Sequence, residues 1–269
     1  MGILMDSWEP GKYLQFKDER TRPAVDLVGR IDLSNPKNII DIGCGPGNST
    51  QILAKRWPES VVVGLDSSEN MIEKARRDYP NRIWIQGDAE NITGDKTYSL
   101  VFSNAALQWM DNHEALIPKL WGIVEDGGVF AVQIPKFETM PVNTAIQNVL
   151  KKDRWKNRFV HNRWEGKNAH GLAYYYEIVS ALTCDVVLWE THYVHVLPGV
   201  QSIVDFVRST ALMPYFEEME SDRERQQFEQ DILAECETHY RAQTNGKVLF
   251  PFERMFIIAY KTRAVGRKG

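Results

Sequence analysis

The residues best placed to do chemistry are Ile39-Ile40-Asp41-Ile42-Gly43-Cys44-Gly45-Pro46-Gly47-Asn48, an apolar run that opens into a turn with glycine at alternate positions. Glycine has no β-carbon, so such a turn can take positive φ and let a ligand lie against the backbone. The next apolar run, 61–65, stops at Asp66. A carboxylate ending the second strand of a parallel sheet can accept hydrogen bonds from both hydroxyls of a ribose. Loop and acid in this order describe a nucleoside site. The bland alternative, a tight turn followed by a helix that Asp66 caps, suits a lone glycine triplet better than the combination.

Spacing then chooses the nucleoside. A dinucleotide fingerprint, Gly-x-Gly-x-x-Gly, needs glycine where the chain has Asn48, and no P-loop lysine follows the turn. Gly43, Gly45 and Gly47 form Gly-x-Gly-x-Gly instead. The expected cofactor is S-adenosyl-L-methionine, whose amino-acid tail carries no pyrophosphate, with S-adenosyl-L-homocysteine as product. Asp41, Gly43, Cys44, Gly45 and Gly47 would cradle the tail, and Asp66 with Ser67 the ribose. Met71 would pack on the adenine, with Asp88 and Ala89 at its edge. Asn104, Ala105 and Trp109, beyond the fourth apolar run, would line the sulfonium end. Met71 and Trp109 are residue types equally at home in a core.

The elements that must position these residues follow from periodicity. Short apolar runs at 38–42, 61–65, 82–86, 99–102 and 129–134 alternate with amphipathic stretches at 49–57, 69–78 and 113–124. That rhythm predicts a parallel sheet with crossover helices. Later segments read as helices at 142–151, 172–182, 201–212 and 222–240, and as strands at 186–197 and 255–262. The expected fold is α/β: a Rossmann-like, doubly wound seven-stranded sheet, its last strand antiparallel, with helical cap insertions. Residues 1–269 would form one domain. Within it, 1–30 is an arm over the cofactor, 31–134 the cofactor-binding half, and 135–182 and 199–245 the cap helices.

Of 269 residues, 43% are hydrophobic and the formal charge is −4, so a large core is available and no overall attraction to nucleic acid or anionic membrane is expected. Cys44, Cys184 and Cys236 are widely spaced and odd in number, which reads as reduced thiols in a cytoplasmic protein. No apolar stretch approaches the roughly 20 residues of a membrane span. His192 and His195, three apart on the expected strand 186–197, face opposite ways, so a metal pair is not expected.

The chain resembles the class I methyltransferases, on 41–47 and Asp66, and within them the trans-aconitate methyltransferases. The narrower likeness rests on Trp8-Glu9-Pro10-Gly11-Lys12-Tyr13-Leu14, Glu19-Arg20-Thr21-Arg22-Pro23-Ala24, Gly45-Pro46-Gly47-Asn48-Ser49-Thr50, Ser103-Asn104-Ala105-Ala106-Leu107-Gln108-Trp109, Tyr174-Tyr175, and Phe250-Pro251-Phe252-Glu253-Arg254-Met255-Phe256. It thins between Ile134 and Gly171, where Ile134-Pro135-Lys136-Phe137 replaces a Met-Pro-Asp-Asn-like stretch.

The resemblance implies methyl transfer to a carboxylate oxygen of a small polycarboxylic acid. A carboxyl group with pKa near 4 is already ionised at neutral pH, so binders are expected and no catalytic base. Arginines must supply the positive charge: Arg22, Arg208 and Arg254, with Arg20 as a further candidate. Arg22 precedes Pro23, a residue suited to the first turn of a helix. Trp8, Tyr13, Gln108, Tyr193 and His195 could orient the acid. Two other readings remain at this point: methylation of a different small or carrier-bound acceptor, and a non-catalytic adenosylmethionine-binding protein.

Overall fold

In a computed structural model, which describes residues 16–159 and 170–262, strands β1 (Asn38–Ile42), β2 (Val61–Asp66), β3 (Ile83–Gln86), β4 (Tyr98–Asn104), β5 (Val124–Pro135), β6 (Val186–Leu197) and β7 (Val248–Tyr260) form one sheet. Their order is β3-β2-β1-β4-β5-β7-β6. β7 runs antiparallel to both β5 and β6, and the other pairings are parallel. The central strands are apolar on both faces, as β1 and β4 show, because helices cover both sides of a parallel sheet.

Helices α1 (Lys17–Arg30) and α2 (Asn48–Arg56) cover one face; Leu27, Val28, Leu53, Ile39, Phe102, Ala131 and Phe256 share that core. α3 (Glu69–Asp78) follows β2. On the other face α4 (His113–Gly122) and α6 (Leu172–Ser180) bury Leu116, Leu120, Tyr175 and Val179 against β4, β5 and β7. α6 thus lies against the sheet, while α5 (Pro141–Leu150), from the same 135–182 stretch, joins α7 (Gln201–Arg208), α8 (Met213–Glu217) and α9 (Asp222–His239) in a separate core.

The cap core sits on an overhang. β7 starts at Val248, earlier than the expected 255, and pairs with β5 only from Arg254 to Tyr260. Its first half, paired to β6 from His192 to Leu197, extends past β5 and packs Phe250 and Phe252 under the cap helices. The cap is therefore bonded to the strand whose other half completes the sheet. Pro23 also falls inside α1, whose first residue is Lys17, and not at its start. An interior proline costs a helix about 3 kcal/mol, which the burial of Ala24, Leu27 and Val28 can offset.

Candidate active site

Strand order reverses between β1 and β4, so the loops leaving their C-terminal ends diverge and open a crevice. Gly43, Gly45 and Gly47 all have positive φ there, at 67°, 53° and 93°. Their surroundings differ. A β-carbon on Gly43 would lie 2.1 Å from Ala106 Cβ, and one on Gly47 2.6 Å from the Trp84 ring, so both are closed by packing. A β-carbon on Gly45 would meet nothing within 4 Å among the described residues. The loop therefore presents open backbone at its middle glycine.

Asp66 faces that opening. Its carboxylate accepts Gly45 N–H at 2.8 Å and Ser68 N–H at 2.9 Å, which leaves acceptor capacity on both oxygens for a diol. Burial raises its pKa above the usual carboxylate value, against the pull of those two N–H groups. Ser67 follows directly, and Met71 is buried on α3 beneath. One strand further out, after β3, Asp88 is exposed and accepts Glu90 N–H at 2.8 Å, starting the 3-10 turn Ala89–Asn91 in which Ala89 is buried.

Asp41 lies fully buried behind the loop. Its Oδ2 accepts the hydroxyls of Ser49 at 2.6 Å and Thr50 at 2.7 Å, tying β1 to the first turn of α2. Burial pushes its pKa up to about 7, the two hydroxyls lower it, and Asp66 adds to the rise. Oδ1 has no donor among the described residues. Cys44 is also buried, its thiol pKa raised by burial and by both carboxylates. A cationic nucleoside with an amino-acid tail fits this set: an open backbone, a diol acceptor, and a half-protonated carboxylate in want of a donor.

Beyond β4 the chain turns sharply at Ala105, whose φ of 53° is rare for a residue with a β-carbon and marks local strain at the mouth. Gln108 Nε2 donates to Ala105 O at 2.7 Å. The 3-10 turn Leu107–Trp109 is fixed from below by His113, whose Nε2 reaches Leu107 O at 2.8 Å and whose Nδ1 lies 3.0 Å from Tyr175 Oη. A carbonyl only accepts, so Nε2 carries the proton and Nδ1 takes the tyrosine's. Trp109 stands half-buried at the end of this turn.

The candidate acid binders divide. On β6, Tyr193 and His195 are buried, and Tyr193 donates to Asp26 of α1 at 2.6 Å. The Arg22 guanidinium lies over the Tyr193 ring at 5.6 Å. Arg254, 3% exposed, lies over Phe252 at 4.1 Å and donates to Gln133 Oε1 at 3.2 Å. Burial, then Arg254 and Arg22, lower the His195 pKa to about 4, so the ring is neutral at pH 7. The structure thus brings Arg22, Tyr193, His195 and Arg254 together. Arg208 is ion-paired to Glu229 of α9 at 3.0 Å, and Arg20 is buried against α7 with bonds to Phe206 O and Ser209 Oγ. Trp8 and Tyr13 lie outside the described residues.

Strand register shows how this cluster meets the cofactor loop. Asp41 pairs with Phe102, Asn104 with Gln133, and Pro135 with Arg254; Tyr193 and His195 pair with Phe252 and Phe250. Residues two apart share a face, so Asp41, Asn104, Gln133, Arg254, Tyr193 and His195 line one side of the sheet. Gln133, Ser49 and Thr50 are not among the residues that spacing singled out. A glutamine interrupting the apolar run 129–134 was the available signal for the first.

A doubly wound sheet with an antiparallel seventh strand, a glycine turn open at one residue and an acid one strand over define an S-adenosylmethionine-dependent methyltransferase. A family model described as a methyltransferase domain matches residues 39–128. Trans-aconitate 2-methyltransferase of Escherichia coli O45:K1 (strain S88 / ExPEC) is 37% identical over 96% of this chain and 100% of its own length. That of Methylobacterium nodulans is 36% identical over the same shares. The chain belongs to the trans-aconitate 2-methyltransferase family. Among solved structures, a candidate methyltransferase of Bacillus halodurans C-125 superposes with a TM-score of 0.59 at 14% identity, covering 90% of this chain and 99% of that one. YcgJ of Bacillus subtilis gives 0.55 at 13%, covering 90% and 100%. Both likenesses concern the fold. Among the described residues, no helix is long and apolar enough to cross a membrane.

Proposed function

We propose that this chain transfers a methyl group from S-adenosylmethionine to a carboxylate oxygen of trans-aconitate or a closely related polycarboxylate, forming a methyl ester. The observation that carries the reading is Arg254: a buried guanidinium, beside Arg22, Tyr193 and His195, on the sheet face that also bears Asp41 and Asn104. Kinship over nearly the whole chain supports the same acid.

Bound adenosylmethionine supplies a methyl group activated by a sulfonium sulfur. The chain would hold it with Asp41, Cys44 and the three loop glycines at the tail, Asp66 and Ser67 at the ribose, Met71, Asp88 and Ala89 at the adenine, and Asn104, Ala105 and Trp109 at the reacting end. Arg22 and Arg254 would bind carboxylates of the acid; Tyr193, His195 and Gln108 would orient it. The nucleophile needs no deprotonation, and holding it in line and away from water can account for about 7–11 kcal/mol of the barrier. Arg208, paired to Glu229, would act through the cap and not at the acid.

Incubation with methyl-tritiated adenosylmethionine and a panel of acids, phenols and amines tests the reading. Label should enter trans-aconitate as an alkali-labile ester identified by mass. Label in an amine or phenol would mean another acceptor, and tight adenosylhomocysteine binding with no labelled product would mean a protein that binds without catalysis.

A further inference from the structure

Gln133 has a side chain whose orientation chemistry decides. It is fully buried, and its Oε1 accepts from Arg254 Nη1 at 3.2 Å. Guanidinium has donors only, so the atom facing Arg254 must be the oxygen and Nε2 must point elsewhere. Nε2 is buried and finds no acceptor among the described residues. Such an amide donor, left unsatisfied, is costly, and native interiors rarely keep one without a use. His195 Nε2, on the same face of the sheet, is also buried with no partner among the described residues. In this neighbourhood stand Arg254 and Arg22, both close enough to lower the pKa of His195. Gln133 lies near the C-terminal end of β5, one residue before Ile134, its last buried residue, and opposite Asn104 of β4. An acceptor that reached Nε2 would therefore lie between the reacting mouth and the guanidinium.

We propose that Gln133 is a specificity-determining residue: its Nε2 donates to one carboxylate of the substrate while its Oε1 holds Arg254 in place to bind the same or a neighbouring carboxylate. This rests on the reading of the site as one for a polycarboxylate and adds to it a residue that counts carboxylates. A monocarboxylate or an amine would leave Nε2 unsatisfied.

The test compares wild type with Gln133→Met and Gln133→Glu on four acids: trans-aconitate, glutaconate, which lacks the middle carboxylate, itaconate, which lacks the carboxylate on the terminal carbon of the double bond, and mesaconate, which lacks the carboxylate on the methylene. Adenosylhomocysteine affinity, measured by calorimetry, should stay within about twofold and report that the cofactor half is intact. For trans-aconitate both variants should raise KM about tenfold or more, the loss of one hydrogen bond to a charged group, with kcat changed less. For one of the three dicarboxylates the ratio of variant to wild-type KM should be several-fold smaller than for trans-aconitate, because that acid lacks the group Nε2 contacts and loses only the support at Arg254. Equal penalties on all four acids would make Gln133 a structural support and overturn the proposal. So would an unchanged KM for trans-aconitate, which would leave Nε2 to a buried water. Wild-type protein that neither binds nor methylates any of the acids would remove the polycarboxylate reading itself and this inference with it, whereas an active wild type with insensitive variants removes the inference alone.

Discussion

At the scale of single residues, the three loop glycines serve different ends, and substitution should separate them. Gly43→Ala would drive a β-carbon into Ala106 at positive φ, so it should cost several kcal/mol of stability in urea unfolding. Gly45→Ala meets no neighbour among the described residues and should cost only about 1–2 kcal/mol for its left-handed φ, yet weaken adenosylhomocysteine binding at least tenfold by calorimetry. Equal stability losses would mean that the opening at Gly45 is not where ligand lies. Asp41 gives a pH test. Its folded pKa, about 7, is above the value of an unfolded aspartate, so its contribution to stability is full below about pH 4 and is lost as pH rises through 7. Asp41→Asn should gain stability relative to wild type between pH 5 and pH 8 in the absence of ligand. A constant difference across that range would show that Asp41 is ionised throughout. The cofactor is a cation, so the wild-type affinity for it should also rise over the same window and the Asn variant's should not.

At the scale of elements, α1 is a helix held by polar contacts across the strand ends. Arg20 bonds to Phe206 O at 2.7 Å, Asp26 receives Tyr193 at 2.6 Å, and Arg30 lies over Trp189 at 4.3 Å. Arg20→Ala should cost about 2–4 kcal/mol and speed amide exchange in 17–30 before the sheet; unchanged exchange there would mean that apolar packing alone seats the helix. Arg22→Ala should raise the KM for the acid at least fivefold while leaving that for adenosylmethionine nearly constant. Equal rises in both would count against its place at the acid. The mouth beyond β4 depends on an element far away in sequence, since α6 supplies the Tyr175 hydroxyl that fixes His113 under the Leu107–Trp109 turn.

At the scale of the whole molecule a sheet packed on both faces and a cap core are joined by one antiparallel strand pair, β6 and β7. The sheet buries the cofactor half, and the overhanging halves of β6 and β7 carry the cap, in which Phe228 packs on Trp155, Phe159 and Tyr215. Phe228→Ala removes a fully buried ring and should cost about 3–5 kcal/mol. Because the acid cluster lies where this strand pair and the cap meet, acid binding should fall more than adenosylhomocysteine binding; parallel losses would mean that the cores unfold as one. What could be read along the chain were local devices. Alternate glycines, a strand ending in an acid and β-branched runs carry their meaning within a few residues, because backbone freedom and hydrogen-bond reach are local. The cofactor loop, Asp66 and the parallel strands belong to this group. Which arginine meets which polar partner could not be read, since β7 inserts between β5 and β6 and sets Arg254 beside Gln133 from 121 positions away. Only that pairing separates Arg254 in the cluster from Arg208 on Glu229, because long-range strand register, and not residue type, decides which side chains share a face.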